Sequence, residues 1–189
     1  ATAVQALKGS DIHVAAVSTA FPHGLAPLDT RLKEIEASVN DGADEIDVVI
    51  KRGLVYEARW QELYDEIAAM RAACGAAHLK VILGTGDLAT LRNVTLASMV
   101  AMMAGADFIK TSTGKESVNA TLPVGLAMVR AIRAYFEETG YMIGFKPAGG
   151  ISAARVALDW LVLIKEELGR PWLEPELFRF GASSLLTDI

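Results

Sequence analysis

Two lysines in this chain each close a short apolar run and are each followed by a polar, glycine-containing turn: Lys110 in "DFIK" before "TSTGK", and Lys146 in "GFK" before "PAGGI". If the runs are neighbouring strands of a parallel sheet, the lysines occupy matching positions about 5 Å apart. Two ammonium groups that close disfavour each other's charge, and burial pushes the same way, so at least one pKa falls. A lysine kept partly neutral attacks a carbonyl carbon and forms an imine. Asp47 interrupts the apolar run "EIDVVI". On a strand it shares a side with Val49, and a carboxylate on either face of a buried strand needs a partner. Expected on an adjoining strand, Asp47 could offset lysine charge and move protons. Taken singly, each lysine also reads as a surface residue and Asp47 as half of a structural ion pair. The set is what points to imine chemistry.

The turns "TSTGK", "PAGGI" and, near the end, "FGASS" place glycines and hydroxyls where strands give way to helices. Backbone N–H groups there can face an anion. In (β/α) barrels, phosphate commonly binds at the loops after the last two strands, the places "PAGGI" and "FGASS" would occupy. Each turn alone also reads as ordinary loop glycine. A P-loop is excluded by spacing: Ile109 stands where glycine is required and Glu116 where a hydroxyl is required. No G-x-G-x-x-G follows the first strand. His13, His23 and His78 are scattered with no ligand spacing, so no metal site is expected.

These residues need a scaffold that brings strand ends together. Strand patterns at 12–21, 45–50, 79–84, 107–110 and 142–146, and a strand turning into a helix over 177–186, alternate with helical patterns at 30–43, 59–75, 96–106, 123–140 and 152–169. Ser152 reads as an N-cap, with Gly140 and Gly169 at helix ends. Alternation of this kind implies βαβ units and a parallel sheet. Polar residues at the ends of several strands favour a (β/α) barrel over an open sheet. The charged residues on the helices read as solvated surface.

The bulk properties agree. At 189 residues and 52% hydrophobic, the chain can bury one core, and no linker divides it, so 1–189 reads as a single domain. A net charge of -5 without a basic stripe argues against nucleic acid. No apolar run reaches the roughly 18 residues that span a membrane. The one cysteine, Cys74, rules out an internal disulfide and fits a reducing cytoplasm; it reads as a packing residue.

Four segments, "DEIDVV", "DFIKTSTGK", "GFKPAGGI" and "FRFGASSLL", resemble the deoxyribose-phosphate aldolase family in order and spacing, and the similarity runs through almost the whole chain. The resemblance implies a TIM (β/α)8-type barrel with about six of the eight β/α units in this chain and the first two strands lacking. It implies Lys110 as the Schiff-base lysine, Lys146 as the lysine that tunes it and Asp47 as the proton-relay carboxylate. Lys80 is then a neighbour of the relay. Gly114, Lys115, Gly149, Gly150, Ser183 and Ser184 form the phosphate pocket. The implied reaction is reversible cleavage of 2-deoxy-D-ribose 5-phosphate to D-glyceraldehyde 3-phosphate and acetaldehyde, with no cofactor. Phosphosugar and aldehyde are the expected partners, and a homo-oligomer is compatible with the resemblance. A phosphosugar-binding or scaffold protein on an incomplete barrel, without turnover, is the alternative.

Overall fold

A computed structural model of the chain describes residues 1–189. Five strands form one parallel sheet: β1 (Ala15–Ser18), β2 (Glu45–Val49), β3 (His78–Ile82), β4 (Phe108–Lys110) and β5 (Gly144–Lys146). Their spatial order is their chain order, so the sheet lacks the reversal at which a doubly wound fold binds nucleotides. Helices α1 (Thr2–Ala6), α2 (Leu28–Asn40), α3 (Arg52–Tyr56), α4 (Trp60–Cys74), α5 (Leu91–Met103) and α6 (Leu122–Thr139) precede and connect the strands, and α7 (Ala154–Glu167) follows β5. None is long and apolar enough to cross a membrane.

Period-two alternation sorts the strand residues onto two faces. Ile46, Val48, Leu79, Val81, Ile109 and Phe145 point one way and join a single cluster of 35 buried apolar residues. The helices contribute stripes at helical spacing, such as Leu63, Ile67, Met70 and Cys74 on α4. Helix α5 starts earlier than its apolar pattern, at Leu91, because the Thr90 hydroxyl accepts from the Asn93 N–H at 3.1 Å and caps it. Not every helix charge is solvated: Arg31 of α2 is 1% exposed and pairs with Glu66 of α4 at 2.8 Å.

The opposite face carries Glu45, Asp47, Lys80, Lys110 and Lys146, and it is concave. Lys146 on β5 reaches Asp47 on β2 at 2.7 Å. Three strand spacings in a flat sheet amount to about 14 Å, further than the two side chains can span. Arg179, beyond β5, also reaches Glu45 on β2, at 3.3 Å. The sheet therefore curls strongly toward this face.

The sixth expected strand is present only as two isolated parallel bridges to the β5 side, Phe145↔Phe178 and Ala148↔Gly181. The ladder is sound on either side of one gap: Phe145 donates to Leu177, Arg179 to Phe145, Gly181 to Pro147 and Gly149 to Gly181. The missing rung is the one Pro147 would donate, and proline has no N–H. Ser152 does not cap α7 either. That helix begins at Ala154, whose N–H donates to the Asp188 carboxylate at 2.7 Å.

Gly144 makes room on the concave face. A Cβ there would overlap the Phe108 ring of the neighbouring strand, the ring over which the Lys80 ammonium stands at 5.4 Å. Gly144→Ala should cost about 1–3 kcal/mol through this overpacking. Urea unfolding reads it, with Gly53→Ala as the control because nothing lies within 4 Å of a Cβ at that site.

Candidate active site

The two lysines stand where their spacing placed them. Lys110 and Lys146 are the last residues of β4 and β5 and are direct register partners. Asp47 is not on an adjoining strand, as expected, but two strands from Lys110, with β3 between. The curl and the length of the lysine side chains close that gap. One oxygen, Asp47 Oδ2, accepts from Lys110 Nζ and from Lys146 Nζ, both at 2.7 Å. The other, Oδ1, is buried and has no hydrogen-bond partner; Lys80 Nζ is 3.6 Å from it. Lys80 is the register partner of Asp47 and is completely buried.

Below this triad lies Glu45, which sequence reasoning missed. It stands two residues before Asp47 on the same face, so the period-two rule could have found it. Its carboxylate is hydrogen-bonded by Lys80, with Arg179 at 3.3 Å and His13 Nδ1 at 3.4 Å. The concave face thus holds two carboxylates among three lysines and an arginine, an excess of positive charge suited to an anionic ligand.

Burial and these charges set the proton affinities. Lys110 is pulled below the ordinary 10.5, first by burial and further by Lys146 and Lys80, against the opposing pull of Asp47. Lys80 is lowered as well, chiefly by burial, although Asp47 and Glu45 oppose it. Burial alone would raise the Asp47 carboxyl, but Lys110, Lys146 and Lys80 together hold it below its ordinary 3.8. Burial likewise opposes ionisation of Glu45, and Lys80 and Arg179 prevail. By contrast, burial pushes the Cys74 thiol up to about 11, which fits its packing role in the apolar core.

An acid sensitivity follows with a definite sign. Both carboxyls bind protons less readily in the folded chain than in the unfolded one. Their contribution to stability is full above the ordinary values of 3.8 and 4.5 and is lost as pH falls through the lower, folded values. The urea midpoint should fall as pH drops below about 4.5, and Glu45→Gln should flatten that fall while lowering the midpoint at neutral pH.

Beside the lysines opens a cavity of about 490 Å³. Its lining includes Lys110, Lys146 and all six residues expected at an anion: Gly114, Lys115, Gly149, Gly150, Ser183 and Ser184. Asp47 and Lys80 lie behind the lysines, outside this lining. Gly114, Gly149 and Gly150 have φ of +81°, +84° and +81°, a backbone region that side chains disfavour. A Cβ at Gly149 would also press on Asn119. Thr111 and Ser112 tie the loop after β4 to the loop after β5, another pairing not foreseen. The Thr111 hydroxyl accepts from the Ala148 N–H at 2.9 Å, and both hydroxyls donate to the Ala148 carbonyl. The two lysines and the glycine- and serine-bearing turns thus share one cavity at the C-terminal strand ends. No group of three His, Cys, Asp or Glu side chains is placed to hold a metal ion.

The chain is 64% identical to human deoxyribose-phosphate aldolase and 62% identical to the mouse protein of the same name, in each case over 99% of this chain. It spans 59% of the length of these relatives. A solved Toxoplasma gondii ME49 protein superposes with a TM-score of 0.84 at 28% identity, covering 94% of this chain and 69% of that one. The tetrameric deoxyribose phosphate aldolase of Aeropyrum pernix shares the fold with a TM-score of 0.73 at 23% identity, covering 98% of this chain and 68% of that one. Residues 8–183 match the family described as DeoC/LacD family aldolase, and the chain belongs to that family.

Proposed function

We propose that this chain carries the active site of a class I aldolase that reversibly cleaves 2-deoxy-D-ribose 5-phosphate into D-glyceraldehyde 3-phosphate and acetaldehyde. The observation that carries the reading is the shared Asp47 Oδ2: it accepts from two lysines at 2.7 Å, beside a cavity lined by glycine and serine turns. Neutral Lys110 adds to the open-chain aldehyde, and loss of water from the carbinolamine gives an imine. Once protonated, the imine at C1 draws in the electrons of the C2–C3 bond, which become the C1=C2 double bond of an enamine. The C2–C3 bond breaks as the C3 hydroxyl loses its proton, leaving that enamine on Lys110. Protonation of the enamine and hydrolysis release acetaldehyde. Asp47, Lys146 and water pass the protons, with the unpartnered Asp47 Oδ1 available as an acceptor. The turns at Gly149, Gly150, Ser183 and Ser184, with Lys115, hold the phosphate.

The scaffold is read as a (β/α)8-type barrel to which residues 1–189 supply about six units as one domain. A sheet in sequential order, curled until β5 reaches β2, supports that reading. Incubation with 2-deoxy-D-ribose 5-phosphate, with glyceraldehyde 3-phosphate reduced by a coupled NADH assay after isomerisation, tests the activity. Steady turnover is the expected result; tight phosphosugar binding without product would favour a scaffold. The scaffold reading leaves the depressed, cavity-lining Lys110 amine without a role.

A further inference from the structure

The loop after β4 binds an anion of its own. Its first half, Thr111 and Ser112, is buried and fastened to Ala148. Its second half folds round Glu116. The Thr113 N–H donates to both Glu116 oxygens, at 3.1 and 3.0 Å, and the Thr113 hydroxyl donates to Oε2 at 2.7 Å. The Lys115 N–H is shared between Glu116 Oε2 at 3.3 Å and the Thr113 hydroxyl at 3.2 Å. Backbone N–H groups converging across a turn with a left-handed residue, here Gly114, make the kind of concavity that takes up a phosphate. In this chain the concavity is filled by the side chain that follows it. A phosphate in the neighbouring cavity therefore has to rely on the other turns and on the Lys115 ammonium. Lys115 lines both that cavity and a small polar cleft of about 90 Å³ with His23, Arg52 and Asp87, so its backbone position decides which of the two its ammonium serves.

We propose that Glu116 is the positioning residue of the phosphate end: its carboxylate fills the anion nest of its own loop and so fixes Lys115 at the cavity mouth, making the site selective for phosphorylated ligands. The inference rests on the phosphate end of the aldolase reading but not on turnover. A carboxylate takes four contacts here, three on Oε2 and one on Oε1; a glutamine oxygen can keep the three at most, and without the charge that strengthens them.

The test is the affinity of the whole chain for inorganic phosphate and for D-glyceraldehyde 3-phosphate, measured calorimetrically for the parent and for Glu116→Gln. Both affinities should fall roughly tenfold, the size of one lost charge-assisted contact. In turnover, KM for 2-deoxy-D-ribose 5-phosphate should rise by about the same factor while kcat stays within about twofold. Trapping of acetaldehyde, which has no phosphate, should not change. Tighter phosphate binding by Glu116→Gln would overturn the proposal, showing that the carboxylate competes with the ligand for the nest. Unchanged affinity would overturn it too, as would a parallel loss of acetaldehyde trapping, which marks a general structural role. A parent chain that binds phosphate but never turns over defeats the aldolase reading and leaves this one standing.

Discussion

Lys110→Leu should abolish the covalent adduct with acetaldehyde and lower kcat for 2-deoxy-D-ribose 5-phosphate by roughly 10⁴-fold or more, the scale on which enzymes lose a covalent nucleophile. Folding should survive. Lys110 is 6% exposed, and its removal leaves Asp47 paired with Lys146 at 2.7 Å. Deleting one buried ammonium relieves a desolvation cost, which offsets much of the lost ion pair. The neighbouring lysine cannot substitute. With Lys110 gone, Lys146 Nζ is left as the one lysine donor to Asp47 Oδ2, a 2.7 Å hydrogen bond that holds its nitrogen back from a carbonyl seated at Lys110. Steady-state kinetics, with circular dichroism as the folding control, separates the two effects.

Asp47→Asn has the second-largest expected effect, and it acts on both stability and rate. The carboxylate is the shared counter-charge of Lys80, Lys110 and Lys146 and is 1% exposed. Without it, buried ammonium groups face one another with only Glu45 below them. Removing one partner of such a cluster costs about 3–5 kcal/mol, more than removing both. Loss of the proton acceptor should lower kcat by a further 10²- to 10⁴-fold, roughly the range for general acid–base groups. The pH dependence separates these roles. Asp47 is the chief group favouring the charged form of Lys110, so its removal should move the onset of acetaldehyde trapping to lower pH even as turnover collapses. Asp47→Glu keeps the charge one methylene out of place and should restore stability more fully than rate.

How much of this was legible in the residues depends on the range of each interaction. Lys110 and Lys146 could be paired from sequence because each ends an apolar run before a glycine turn, and parallel strands in sequential order bring such ends into register. Asp47 stood out for the same local reason, a charge within an apolar strand. It is expected on a strand adjoining Lys110, but β3 lies between, and the contact is made through curl, a property of the whole sheet. Glu45 shares a strand face with Asp47, but its pairing with Arg179 lies beyond any local pattern: the two meet across four strand spacings and only because the sheet bends. The pairing of Arg31 with Glu66 joins two helix surfaces that each look solvent-facing alone. The sixth strand has a strand-like composition, but its ladder is cut by Pro147 on the neighbouring segment, so the cause lies outside the stretch being judged. Glu116 stands out in the sequence only as a mismatch to a P-loop, because nothing local shows that its carboxylate occupies the loop's own donors.

The central claim is that Lys110 becomes a covalent carbonyl-binding amine below the pH at which ordinary lysines lose their protons. Acetaldehyde and borohydride at near-neutral pH, followed by peptide mass analysis, test it most directly. The account predicts a two-carbon adduct on the peptide bearing Lys110, absent in Lys110→Leu, with other lysines largely unmodified. An adduct spread evenly over exposed lysines, or placed on Lys146 with Lys110 untouched, would contradict it.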